Sequence, residues 1–126
     1  MNTVGRFHSF PDGLAKAEAL GYACLGGQFQ FRMDDATCEM YWLSADSTER
    51  RPGEAWCAYG ERSCAEVMQR FQERVREVDF KTEALGWPAV RQGIEQGLDP
   101  LSRLVFVGYF VTEAEWLRDQ SARNNV

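Results

Sequence analysis

The stretch Gln28-Phe29-Gln30-Phe31-Arg32-Met33-Asp34-Asp35-Ala36-Thr37-Cys38-Glu39-Met40-Tyr41-Trp42-Leu43 decides the fold. Phe29, Phe31 and Met33 alternate with Gln28, Gln30 and Arg32, the period of a strand with one apolar and one polar side. Asp34-Asp35-Ala36 is a polar break of hairpin length, since aspartate favours turns by bonding its own backbone. Thr37 to Leu43 then reads as the returning strand. Strict alternation places Cys38, Met40 and Trp42 on one face and Thr37, Glu39, Tyr41 and Leu43 on the other. A β-hairpin is the expectation, and Asp34, Asp35 and Glu39 form the densest acidic patch in the chain.

Outward from the hairpin, Tyr22 to Leu25 reads as a shorter strand interrupted by Gly26-Gly27. A helix is expected before it, over Pro11 to Leu20, with proline in the first turn, Leu14, Ala17 and Leu20 on one side and Gly21 as the stop. On the other flank, Ser44 to Gly53 is a hydrophilic loop and Glu54 to Tyr59 reads as a further strand. Ser63-Cys64-Ala65-Glu66 matches a capping box, which places the start of a long helix at Ser63. Cys64, Val67, Met68, Phe71, Val75 and Val78 supply its apolar stripe.

Trp87-Pro88 opens a weaker helical segment to Gly97, and Asp99-Pro100 marks a turn. Leu104 to Val111 is an apolar run suited to a central strand. Thr112-Glu113-Ala114-Glu115 is a second capping box, opening a short C-terminal helix. This order gives an α+β class, with a mostly antiparallel sheet of about four to five strands packed by one long amphipathic helix and shorter ones. One domain over residues 1–126 is expected, with residues 1–8 and 121–126 as mobile tails.

Composition narrows the function. The chain has 126 residues, 14 basic against 19 acidic side chains, and a formal net charge of −5 at pH 7. Nucleic-acid binding is disfavoured, because such domains are normally basic. No apolar run approaches the ~18 residues of a membrane span, and the N-terminus has no apolar core of a secretory signal. A cytoplasmic location follows as the expectation, with Cys24, Cys38, Cys57 and Cys64 as free thiols packed like small apolar residues.

His8 is the only histidine. Neither a zinc ligand set nor a cysteine or serine nucleophile with an organised base can be assembled from it. No phosphate-cradling glycine motif opens a helix. No enzyme activity, cofactor or metal is therefore expected.

The remaining signal is aromatic and acidic. Four tryptophans, four tyrosines and eight phenylalanines exceed what a core of this size needs to bury fully. Trp and Tyr are also the anchors of protein interfaces. Tyr41 beside Glu39, next to Asp34 and Asp35, is the expected partner-binding set. The expected role is a small acidic inhibitor or immunity-type protein that occludes the active site of a cognate toxin or enzyme. An acidic face suits a basic cleft that receives phosphate groups and accelerates encounter. Bacterial immunity proteins often share this size and charge, a likeness of format carried by no motif. The alternative is a ligand-binding or enzymatic domain, with Phe29, Phe31, Met40, Trp42 and Trp56 lining a pocket between sheet and long helix and Arg32 or Glu39 turned inward. Homo-oligomerisation is compatible with either.

Overall fold

A computed structural model describes residues 2–6, as backbone, and residues 9–124. The element order is β1 (Asn2–Arg6), α1 (Phe10–Ala19), β2 (Ala23–Arg32), β3 (Thr37–Asp46), α2 (Trp56–Glu77), α3 (Phe80–Ala84), α4 (Pro88–Glu95), a 3-10 turn over Pro100–Arg103, β4 (Leu104–Val111) and α5 (Glu113–Asn124). The sheet runs β1-β4-β2-β3, with every neighbouring pair antiparallel. The α+β class and the antiparallel sheet are as expected.

The strands differ in detail from the expectation. Those expected at Tyr22–Leu25 and Gln28–Met33 are one strand, β2, which absorbs a bulge at Leu25: Cys24 pairs with Phe110 and Gly26 with Tyr109. Gly26 takes φ +144°, and a Cβ there would collide with the Asp46 carboxylate and lie 2.9 Å from its Cα. A Cβ on Gly27 would drive into the Phe106 ring and the Val107 carbonyl. The glycine pair is thus the condition for a continuous β2 between two partners, not an interruption of it.

Glu54 to Tyr59 is not a strand. Helix α2 begins at Trp56, two turns before the expected cap at Ser63, and buries Tyr59, Gly60, Ser63, Cys64, Val67 and Phe71. These positions recur at three and four residues and continue one stripe. Ser63 sits mid-helix and fully buried; its Oγ accepts the Cys24 N–H at 3.1 Å and donates to the Gly60 carbonyl at 3.1 Å. The residue that reads as a cap is instead where the helix lies close enough to bond β2. At the two ends, residues 2–6 pair with β4, and Ser121 to Asn124 continue α5. Positions 1, 7, 8, 125 and 126, including His8, lie outside the described residues.

The core occupies one face of the sheet. Phe29 and Phe106 from the strands meet Phe10 of α1, Phe71 of α2 and Phe80 of α3, with ring centroids 4.4–5.6 Å apart. Cys24, Phe31, Cys38, Met40, Leu43, Ala45, Leu104 and Phe110 complete the strand contribution. Phe29, Phe31 and Met40 are completely enclosed, so they pack the core and line no pocket beneath α2. A second, smaller cluster at the far end of the sheet joins Ala23, Tyr59 and Val111 to Trp56 and Trp116.

Thr112 caps α5 as its sequence implies. Its Oγ accepts the Glu115 N–H at 3.2 Å while Glu115 accepts the Thr112 N–H at 2.9 Å. Among the described residues no helix is long and apolar enough to cross a membrane.

Candidate functional site

With the core on one side, alternation places the other members of the hairpin on the opposite face of the sheet. Arg32 stands across from Thr37, and Gln30 lies between Glu39 and Val105. Neither hydrophobic cluster draws on Gln30, Val105 or Val107. Glu39 and Tyr41 both lie on this side, exposed, with Tyr41 at 74%. Asp34 and Asp35 occupy the tip between β2 and β3.

The face pattern expected for β3 holds only as far as Tyr41, which is exposed as Glu39 is. Phe29 pairs with Met40, but its neighbour Gln28 pairs with Ser44, so Tyr41, Trp42 and Leu43 form a bulge without opposite residues. The extra residues turn the strand: Leu43 becomes buried, and Trp42, expected inward, is 47% exposed. Trp42 lies parallel to Trp87, the N-cap residue of α4, at 6.0 Å and 11°, and edge-on to Tyr41 at 5.1 Å and 84°. Tyr41, Trp42 and Trp87 therefore make a surface ridge at the β3 edge. Alternation alone misses Trp42 and Trp87, because the bulge has no sequence signature as clear as a glycine.

The four expected partner-binding residues share one flank but not one environment. Asp34 accepts a 2.9 Å ion pair from Arg103, exposed to water. The side chains of Asp35 and Glu39 make no hydrogen bond or ion pair among the described residues. Arg32, the nearest basic residue on the face, donates its Nε to Gln30 at 3.3 Å rather than to Glu39. Arg32 and Glu39 both point outward, so neither orients a ligand in an interior pocket.

A second charge-rich region lies in the connection between β3 and α2. Arg62 grips Glu54 with two 2.8 Å bonds, one to each carboxylate oxygen. The same guanidinium donates to the Thr48 hydroxyl, the Glu49 carbonyl and Glu66. That bidentate bond holds the Glu54 carboxyl down at about 2, helped by the Arg51 N–H. Burial pushes Glu66 up, but bonds from Thr48 and Arg62 outweigh it and leave the carboxyl below its ordinary range.

Arg50 donates to the Glu54 carbonyl and to Glu113 at 3.0 Å each, and lies against the rings of Trp56 and Trp116, 5.1 and 4.7 Å from their centroids. A cleft of about 270 Å³ opens beside it, reaching Leu25, Tyr59, Asp119 and Arg123. Compared with protein-family models, curated proteins and solved structures, the chain matches none. The arginine and glutamate chemistry of this region is consumed internally, which makes it a staple for an irregular loop and for α5.

The thiols divide in the same way. Burial pushes Cys24 up to about 12 and Cys64 to about 11, consistent with packing rather than nucleophilic reactivity. Cys57, expected in a strand and packed, is exposed in the first turn of α2. Among the described residues no group of three or more His, Cys, Asp or Glu is placed to hold a metal ion.

Proposed function

We propose that this chain is a small acidic protein-binding domain of the inhibitor or immunity type, which neutralises a cognate bacterial toxin or enzyme by covering its active-site cleft with the β2–β3 hairpin. One observation carries the reading: Tyr41, 74% exposed on a strand of the sheet, shares the hairpin with Asp35 and Glu39, whose side chains have no hydrogen-bond or ion-pair partner among the described residues. An exposed aromatic ring on a rigid strand loses little conformational entropy when covered, and such residues dominate interface energetics. Unpaired carboxylates add steering toward a basic cleft of the kind that receives phosphate groups.

The test uses the whole chain, tagged and recovered from the organism that encodes it, followed by binding kinetics with any stoichiometric protein partner. Asp35→Arg and Glu39→Arg slow association about tenfold at low salt and lose that effect above ~0.5 M salt. Tyr41→Ala acts on dissociation instead. The absence of a stoichiometric partner, or a partner indifferent to all three substitutions, overturns the proposal.

A further inference from the structure

The β3 bulge costs the hairpin its pairing at three residues and places Tyr41 and Trp42, adjacent in sequence, both in solvent. The bulge turns Leu43 into the core and leaves the rings of Tyr41 and Trp42 outside it, in contact with each other and, through Trp42, with Trp87. Its chemistry is specific. The faces of Tyr and Trp rings are electron-rich, and a cation within about 6 Å of a ring centroid is attracted to them. Glu39 lies two residues before Tyr41 on the strand, a spacing of about 7 Å along one face. One planar cation can reach a ring and a carboxylate over that distance.

Arg32 shares the face but bonds Gln30, and among the described residues Glu39 has no counter-ion. Asp35, likewise without an ion pair among the described residues, extends the same negative flank.

We propose that the Tyr41–Trp42 ridge with Glu39 is a receptor for an arginine side chain of the partner protein, the guanidinium lying against the aromatic rings and donating to the Glu39 carboxylate. Arginine fits better than lysine because its flat fork stacks on a ring and bonds a carboxylate in the same pose, whereas an ammonium is a strongly hydrated point charge. Trp87, parallel to Trp42, backs the ridge and fixes its orientation. This inference rests on the reading of the hairpin as an interface and names the group that interface takes.

The experiment titrates the 15N-labelled full chain with a short capped glycine–arginine peptide and with its citrulline twin, which keeps the shape and removes the charge. The indole N–H signals report location. Trp42 belongs to the ridge, whereas the Trp56 Nε1–H donates to the Gly21 carbonyl at 2.8 Å and serves as an internal reference. The expected result is a saturable shift of Tyr41, Trp42 and Glu39 signals with the arginine peptide, and at least about fivefold weaker binding of the citrulline peptide. Glu39→Gln and Tyr41→Ala, both at exposed positions, each weaken the arginine peptide by about threefold. Equal response to the two peptides overturns the inference, as does a shift spread over the acidic surface without saturation at Tyr41 and Trp42. The broader interface reading fails separately, if a stoichiometric partner binds Tyr41→Ala as tightly as the natural chain.

Discussion

The loop that leads from β3 into α2 and the hairpin tip that leads from β2 into β3 are both short, polar and rich in charge. They are built in opposite ways. In the first, Arg62 alone reaches Glu54, Thr48, Glu49 and Glu66, and Arg50 reaches Glu54 and Glu113. In the second, among the described residues, a single exposed ion pair joins Asp34 to Arg103, and the side chains of Asp35 and Glu39 stand without partners. A charge whose bonds are filled within the chain contributes to the fold; a charge left open is available to something outside it. Density of charge in the sequence does not separate the two cases, because only the fold says which carboxylates have met an arginine.

The comparison breaks most visibly at Arg62. Arg62→Ala removes at once the donor shared by Glu54, Thr48, Glu49 and Glu66 and should cost about 2 kcal/mol in urea unfolding, well above the median for an isolated surface pair. The same contacts predict an acid dependence. A carboxyl held near 2 when folded and near 4.5 when unfolded stabilises the chain above pH 4.5, and that contribution drains away as pH falls from 4.5 toward 2. Glu54→Gln should flatten the stability profile over that interval. Asp35→Asn, at an exposed carboxylate on the hairpin tip, is the control for that variant. If the two variants behave alike, the loop is no staple and the contrast dissolves.

Next in size is Ser63→Ala. The substitution takes the acceptor from the Cys24 N–H inside a fully buried contact between α2 and β2, and should cost about 1–2 kcal/mol. The measurement also tests why the sequence misleads here. Ser63-Cys64-Ala65-Glu66 has the residues of a capping box, but Gly60 and Ser63 are small because the helix passes β2 closely; a Cβ on Gly60 would sit 3.2 Å from the Tyr22 carbonyl oxygen. Glu54 to Tyr59 reads as a strand because aromatic residues such as Trp56 and Tyr59 are common in strands, and tertiary packing of those two rings with Ala23 and Val111 overrides that preference.

Where local chemistry alone decides, the sequence was readable. The alternation of Gln28 to Met33 specified the hairpin, and Thr112 with Glu115 specified the start of α5. The β3 bulge was not readable, because it arises where Leu43 and Ala45 return to the core after Met40 and leave Trp42 outside. The Arg62 network was not readable either, since its members are brought together by α2 beginning seven residues earlier than its apparent cap. Of the candidate site, Asp34, Asp35, Glu39 and Tyr41 could be named in advance, whereas Trp42 and Trp87 required the fold.

A smaller effect is expected at Thr112, whose hydroxyl caps α5. Thr112→Ala should cost about 1 kcal/mol, confined to α5, and raise amide exchange in its first turn without altering the hairpin. Helix α5 buries no residue completely and is held by Trp116, Arg50 and this cap. A loss spread over the whole chain would mean that the second cluster and the main core unfold together.

The smallest effect sharpens the comparison most. Glu39→Gln and Asp35→Asn remove charges that bond nothing among the described residues, so each should change stability by less than about 0.5 kcal/mol. Removing one of several like charges on an acidic surface can even stabilise slightly, because the folded chain concentrates that repulsion. The pair should nevertheless differ from Glu54→Gln in partner binding, where they slow association and Glu54→Gln does not. Thermal unfolding and association rates measured on the same three variants place each carboxylate in one region or the other. A Glu39→Gln variant that is clearly destabilised would show that Glu39 has an internal partner, and the hairpin would then join the loop as structure rather than standing apart as surface.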